Sequence, residues 1–417
     1  MHFQLLIFDL DNTLIETSDL ELDFRGYAFK GVQSAEYINN LRERATAIPR
    51  RVIYTLQFLN QLRSKYPNLK LGVFTRAPKT YTHTLLSTFY AGFHWDSIIT
   101  AEDVVHPKPA PDGIQRAMAS LGVVDISAVV VVGDGKVDIN AAYAAGVWAV
   151  ADTTTWPDRR VPDNYYVTER LPDAVINNPD QLNSFLENPV SGWPLLEQLE
   201  YYKSTPPIGL PERVEVINHF DKSGDNRQFI KVSVLGRRFR NDDSLSARRK
   251  WHPVSHEIES HKNSSIFPFH WIESLRRFIA KDINVQFGNP VIITVIPARA
   301  GRTPRLENLL NQLALSHSTI PLTGIFGAAN IEFISDIFAY TDGMRSNHGE
   351  NLGAKDRFIN VRDHMVVRPG CSPNGKRYIV IDDVVTTGAT LFYASHYLKS
   401  AGAVDVTLIS LAKAVSV

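Results

Sequence analysis

The sequence predicts an α/β chain made of two doubly wound parallel-sheet domains, and three observations carry that prediction. Its strong apolar runs are short, unbroken and rich in Val, Ile and Leu, as strands covered by helices on both faces require. They are Leu5–Phe8, Leu71–Phe74, Val129–Val132 and Val147–Val150, then Val291–Ile296, Tyr378–Ile381 and Val406–Leu411. Segments with helical spacing alternate with them, as at Arg51–Tyr66, Asp112–Leu121 and Thr390–Ala401. The alternation occurs twice, on either side of a proline-rich stretch between Asp152 and Pro211 that shows no strong strand.

At 417 residues the chain has room for two or three cores. Hydrophobic residues at 44% and charged residues at 21% are ordinary for a globular chain. Lys+Arg and Asp+Glu both number 44, so global charge points to neither nucleic acid nor an anionic membrane. Cys371 is the single cysteine, which excludes an intrachain disulfide and a cysteine metal site; it lies in a turn with no base to activate it. No apolar run approaches a membrane span, and Met1-His2-Phe3-Gln4 leads straight into a strand pattern; the expected location is the cytoplasm. The domain expectation is 1–187, a linker over 188–212 that includes the helix-breaking Ser204-Thr205-Pro206-Pro207, and 213–417. Within 213–290 the readable pieces are two strand-like runs, Val214–Asn218 and Phe229–Leu235, and a helix-like run, Trp271–Ala280.

The first strand ends in Asp9-Leu10-Asp11-Asn12-Thr13. Side chains just past the C-terminal end of a parallel strand face the ligand crevice. Two carboxylates one residue apart can there divide labour, one attacking phosphorus and the other exchanging a proton with the leaving group. An anionic nucleophile repels an anionic phosphate, so the site needs positive charge, from a hard cation such as Mg²⁺ and from a lysine. Thr75 follows the strand Leu71–Phe74 and offers a hydroxyl to a phosphoryl oxygen. Lys108 stands in the proline-stiffened His106-Pro107-Lys108-Pro109, and Gly133-Asp134-Gly135-Lys136-Val137-Asp138 supplies two more carboxylates.

In this order and strand context the set resembles the four motifs of the haloacid dehalogenase (HAD) superfamily. The resemblance implies a Rossmannoid phosphohydrolase domain over roughly residues 3–185. It makes Asp9 the nucleophile that forms an aspartyl-phosphate, Asp11 the general acid/base, and Thr75 and Lys108 the phosphoryl-binding pair. It places Mg²⁺ on Asp9, the Asp11 carbonyl and Asp134, with Asp138 supporting that shell. Asp138–Gly146 is also similar to the helix after motif four in the phosphoglycolate-phosphatase-like branch. Asp11 argues for a phosphatase over a dehalogenase. The stretch that holds a helical cap in this branch is reduced here to roughly Ser18–Ile48, which predicts an open site taking a bulky substrate or one covered by the second domain.

The run Tyr378–Ile381 leads into Asp382-Asp383, then Val384-Val385-Thr386-Thr387-Gly388-Ala389-Thr390 and a helix. A carboxylate pair suits vicinal ribose hydroxyls, and successive backbone N–H groups at a helix start suit a 5′-phosphate. The segment resembles the phosphoribosyl pyrophosphate (PRPP) motif of type I phosphoribosyltransferases. That resemblance covers about 213–417 and makes Asp382 and Asp383 the acid pair and Thr386, Thr387, Gly388, Ala389 and Thr390 the phosphate loop. The early chain end after the motif, and Asp356–Val361 ahead of it, are similar to the ComF-like branch, although the cysteine cluster of a zinc module is missing. Arg299 and Arg302, after the strand Val291–Ile296, are candidate pyrophosphate ligands.

Two other features stand out. Arg237-Arg238-Phe239-Arg240 and Arg248-Arg249-Lys250-Trp251 interleave basic and aromatic residues as a single-strand nucleic-acid site does, though a solvated face or a PRPP lining accounts for them better at zero net charge. His252, His256 and His261 have a metal-like spacing that Pro253 interrupts, so hydrogen-bonded or exposed histidines are expected. The two resemblances together imply a bifunctional enzyme with Mg²⁺, acting on small phosphate esters and on PRPP or a nucleotide. The alternatives are a phosphatase regulated by a non-catalytic PRPP or nucleotide sensor, and a phosphatase acting on nucleic-acid ends.

Overall fold

Val/Ile/Leu runs bounded by Asp, Gly or Thr become buried parallel strands in the computed structural model, which describes residues 3–26, 34–49, 51–157, 162–203, 211–224, 228–284, 290–324, 327–328, 330–345 and 352–416. Residues 204–210 of the expected linker, and 27–33 of the expected cap, lie outside the described residues. By its contacts the chain divides into two units. Unit 1 is Met1–Gly192 with Phe239–His252 and Val415–Val417, and unit 2 is Trp193–Arg238 with Pro253–Ala414. The expected linker therefore contains a helix, Leu195–Tyr202, which is part of unit 2.

Unit 1 is a six-stranded sheet of β1 (Leu5–Phe8), β2 (Lys70–Phe74), β3 (Ser97–Ile99), β4 (Val129–Gly133), β5 (Trp148–Asp152) and β6 (Ala174–Ile176). The strand order is β3-β2-β1-β4-β5-β6 and every pairing is parallel. Chain order reverses between β1 and β4, so the crevice at their C-terminal ends is where a ligand fits. The sequence showed no strand after Asp152; β6 has three residues, too few for a hydrophobic run to register. The predicted helix Arg51–Tyr66 begins later, at Leu56, because Thr55 caps it by accepting the Phe58 N–H at 3.2 Å.

Arg51 has another use. Its buried guanidinium donates to Asp19 at 2.6 and 3.0 Å, to the Ala45 carbonyl at 3.0 Å and to the Glu16 carbonyl at 2.7 Å. It thereby ties the insertion after β1, whose described parts are a helical turn Glu21–Arg25 and a helix Ala35–Thr46, to the edge of the core.

The segment Phe239–His252 is integral to unit 1 although it is distant in sequence. Phe239 and Leu245 are fully buried in the same cluster as Ile139, Tyr143 and Val147. Arg248 is fully buried, pairs with Asp173, and stacks over Trp251 at 3.7 Å. Trp251 donates to the Gly146 carbonyl at 2.7 Å. Gly146 has φ +79, and a Cβ there would lie 2.7 Å from the Ala247 Cβ, so both its conformation and this close approach require glycine.

Unit 2 is built on a larger mixed sheet. Its strands in chain order are β7 (Glu215–Phe220), β8 (Phe229–Val234), β9 (Arg237–Phe239), β10 (Val291–Val295), β11 (Thr323–Gly324), β12 (Gly327–Ala328), β13 (Ile331–Phe333), β14 (Phe338–Tyr340), β15 (Met365–Val367), β16 (Arg377–Val385) and β17 (Asp405–Val415). The main order is β13-β10-β16-β17-β8-β7, with β9 against β17 and with β11·β12 and β14·β15 as separate antiparallel pairs. The core pairings are parallel and only β7·β8 on this path is antiparallel. Chain order reverses between β10 and β16, again marking a crevice. The strand expected to end at Ile381 runs on to Val385. Pairing with β10 stops at Val295↔Ile381, whereas pairing with β17 continues through Asp382↔Ser410 to Val385↔Lys413. Asp382 and Asp383 thus lie on strand with one edge uncovered. Among the described residues no helix is long and apolar enough to cross a membrane.

Because the Arg248–Asp173 pair is fully buried, deleting one partner strands the other charge. Arg248→Ala is expected to destabilise unit 1 by about 3–5 kcal/mol, read from denaturant unfolding followed by tryptophan fluorescence. A chain cut after Gly192 is expected to lose cooperative unfolding, since it lacks Phe239, Leu245, Arg248 and Trp251; a sharp melt of that fragment at the full-chain temperature would contradict this.

Candidate active site

Asp9 and Asp11 lie beyond β1, where Asn12 takes a left-handed conformation (φ 56) that turns the chain sharply. The Asn12 side chain stabilises the turn, accepting from the Thr17 N–H at 3.1 Å and the Ser18 hydroxyl at 3.0 Å. The two carboxylates meet different partners. Asp9 accepts from Lys108 Nζ at 2.8 Å. Asp11 instead accepts from the Thr17 hydroxyl at 2.8 Å and the Tyr81 hydroxyl at 3.0 Å, with Arg25 at 3.6 Å from its other oxygen.

Lys108 organises the rest. Its ammonium is buried and also donates to Asp138 at 2.7 Å, while lying over the Phe74 ring at 4.9 Å. Burial disfavours its charge, but Asp138 and Asp9 outweigh burial and raise its pKa above the lysine value. Asp138 faces back along its own helix, Lys136–Ala145, and accepts the Gly135 N–H at 3.0 Å as a capping residue. Burial pushes the Asp138 carboxyl up to about 6 against the opposing pull of Lys108. Asp134 accepts from the Thr13 hydroxyl at 3.4 Å, and burial with Asp138 and Asp9 nearby raises it well above the usual carboxylate range.

Asp9, Asp134 and Asp138 bring carboxylate oxygens within 4.8 Å of one another. Three carboxylates so close, facing a single buried ammonium, form a hard oxygen donor set short of positive charge, and a divalent cation such as Mg²⁺ fits it. The Asp11 carboxylate is not in that group; among the expected metal residues it is held elsewhere, so any part it takes is through its carbonyl. Burial pushes Asp11 up to about 7; Arg25 opposes this, while Asp9 and Glu21 add to it. A carboxyl in that range keeps a proton to give near neutral pH. Thr75 follows β2, the strand beside β1, and its buried hydroxyl accepts the Ala77 N–H at 3.0 Å, which aims its own hydrogen elsewhere. Sequence reasoning missed Thr17, Arg25 and Tyr81. Tyr81 lies on the helix Lys79–Phe89 with no motif spacing to announce it.

In unit 2, Asp382 accepts the Asp383 N–H at 2.8 Å, and burial and then Asp383 raise its carboxyl well above the usual range. Asp383 accepts from Arg305 at 2.6 Å, an arginine the sequence reading did not single out. Arg305 opens the helix Arg305–Thr319 and lies over Trp271 at 5.7 Å. Thr386 is exposed and Thr387 and Thr390 are half-buried before and within the helix Ala389–Ser400. Gly388 has φ +79 and a Cβ there would fall 2.5 Å from the His219 ring, so close packing and conformation both require glycine. Arg299 is half-buried, donating to the Arg345 carbonyl at 2.7 Å and lying 6.0 Å from the Tyr340 ring; Arg302 is exposed. The basic segments do not form a strand-binding surface at their key positions. Arg237 is fully buried and pairs with Glu197 at 2.5 Å, and Arg248 is buried as described, so neither a nucleic-acid site nor a solvated face accounts for them.

With this geometry in place, the likenesses to known proteins can be set beside it. Residues 35–151 match the family of haloacid dehalogenase-like hydrolases. Validoxylamine A 7′-phosphate phosphatase of Streptomyces hygroscopicus subsp. limoneus is 37% identical over 100 residues, covering 24% of this chain; the chain spans about half, 46%, of that relative. Pyrophosphatase PpaX of Oceanobacillus iheyensis is 27% identical over 216 residues, covering 42% of this chain and 96% of that one. Among solved structures, the HAD-hydrolase YfnB from Bacillus subtilis bound to magnesium is 16% identical, with a TM-score of 0.30 over 45% of this chain and 99% of that one. The family match and the two phosphatase relatives support a HAD-superfamily phosphatase domain in this chain.

Gly133 sits against the capping carboxylate. A Cβ there would lie 2.4 Å from the Asp138 Cγ, with no flexible chain end to yield. Gly133→Ala is expected to displace Asp138 and with it Lys108, lowering phosphatase turnover about a hundredfold with the fold retained, as measured by steady-state kinetics and circular dichroism.

Proposed function

We propose that unit 1 is a Mg²⁺-dependent phosphatase that works through an aspartyl-phosphate on Asp9 and acts on small-molecule phosphate esters. The observation that carries this reading is Lys108 held between Asp9 and Asp138 beside Asp134. Asp9 is the nucleophile, Lys108 and Thr75 hold the phosphoryl oxygens, and Asp11 gives a proton to the leaving group. Asp9, Asp134 and the Asp11 carbonyl hold the cation, and Asp138 fixes Lys108 and the loop that presents Asp134. Bound Mg²⁺ supplies the positive charge that offsets repulsion between carboxylate and phosphate.

Unit 2 serves, in this proposal, as a type I phosphoribosyltransferase domain that binds PRPP or a nucleotide. Asp382 and Asp383 face the ribose hydroxyls, and Thr386 to Thr390 cradle the 5′-phosphate at the start of a twelve-residue helix. Arg299 and Arg302 follow β10, the strand next to β16, and suit a pyrophosphate group there. A product of transfer that loses its phosphate in unit 1 would make the pair one-way, with tethering raising the local concentration of the intermediate.

Asp9→Asn preserves size but removes the attacking charge, so turnover is expected to fall at least about a thousandfold. Chelation by EDTA is expected to abolish activity and added Mg²⁺ to restore it; full activity in EDTA would defeat the cation assignment. For unit 2, calorimetry with millimolar PRPP is expected to show binding in the full chain and none in Thr387→Asp, which puts a carboxylate where the phosphate sits. Release of pyrophosphate with a panel of bases distinguishes a transferase from a sensor, and no binding to the wild-type chain would refute both.

A further inference from the structure

Asp11 is gripped on one oxygen only. The Tyr81 hydroxyl donates to Oδ1 at 3.0 Å and the Thr17 hydroxyl donates to the same atom at 2.8 Å. Oδ2 is buried without a hydrogen-bond partner, its charged neighbour being Arg25 at 3.6 Å. Two hydroxyls donating to Oδ1 leave no place for a proton there, so a proton on Asp11 sits on Oδ2. Tyr81 is itself fully buried, which restricts where its hydroxyl can point.

We propose that Tyr81, with Thr17, is a positioning residue that fixes the rotation of the Asp11 carboxyl and so assigns Oδ2 as the oxygen that exchanges the proton. This rests on the phosphatase reading of unit 1. In the first half-reaction an Asp9 carboxylate oxygen bonds to phosphorus as the bond from phosphorus to the leaving oxygen breaks. The Oδ2 proton passes to that oxygen, giving an alcohol, an aspartyl-phosphate and an Asp11 carboxylate. In the second, water bonds to phosphorus and yields a proton to Oδ2 as the bond to Asp9 breaks, releasing inorganic phosphate and restoring both carboxyl groups.

The test uses the full chain with Mg²⁺ and two probes, phenyl phosphate and 4-nitrophenyl phosphate. The first has a basic leaving group that needs a proton, and the second an activated one that does not. Tyr81→Phe deletes only the hydroxyl. It is expected to lower kcat/KM for phenyl phosphate tenfold or more, on the order of the smaller contributions of general acids, while 4-nitrophenyl phosphate stays within about threefold. Thr17→Val is expected to show the same split and carries the test should Tyr81→Phe fail to fold. Equal losses on both probes, or none on either, would overturn the positioning role and leave the phosphatase standing. A wild-type chain inert toward both probes, or an Asp9→Asn variant as active as wild type, would remove the phosphatase reading and this inference with it.

Discussion

Three carboxylates with oxygens within 4.8 Å of one another repel, and unit 1 can fold this way because Lys108 is buried beside two of them. Its ammonium is shared between Asp9 and Asp138, and those two interactions outweigh the penalty of burying the charge. Much of the local architecture follows from keeping that nitrogen in place. Asp138 is fixed as the capping residue of its helix, Gly133 has no side chain because Asp138 fills that space, and Phe74 lies under the ammonium. One cation does not balance three anions. That deficit is the physical reason a divalent cation suits the site, and burial, with Asp138 and Asp9 adding to it, raises the Asp134 carboxyl.

The two acids after β1 illustrate how environment separates roles. They are separated by a single residue, yet Asp9 meets a lysine and Asp11 a buried pair of hydroxyls. Burial then pushes Asp11 up to about 7, a range suited to exchanging a proton, with Arg25 limiting the rise. In unit 2 a similar pair is treated differently. Asp383 is engaged by Arg305, and Asp382 is pushed up by burial and by its neighbour. The pair lies on a stretch of β16 that pairs with β17 and not with β10.

Most of both sheets was legible because buried parallel strands demand unbroken apolar runs, and these survive in a single sequence. Asp9, Lys108, Asp134 and Asp138 were legible because each follows a strand end or sits in a stiffened loop, and the structure brings them together. Thr75 was placed by the same logic. The short β6 escaped because three residues carry no periodicity. Tyr81, Thr17, Arg25 and Arg305 escaped because their partners are far away in sequence or on another element, and nothing local marks them. The segment Phe239–His252 misled for a related reason. Its arginines and aromatics read as a surface feature, whereas Arg248 and Phe239 are core residues of unit 1.

By itself, then, the sequence determined the α/β architecture and marked the strand-end carboxylates that come together, because strand hydrophobicity and strand-end carboxylates are local properties. The tertiary structure decided which carboxylate meets Lys108 and which meets Tyr81, since those partners come from elements 99 and 70 positions away. It also decided that a segment beyond residue 238 completes the first unit, through a buried arginine pair that joins residues 75 positions apart and a close approach of Gly146 to Ala247. Such pairings depend on which surfaces the fold brings together, and no local pattern encodes them.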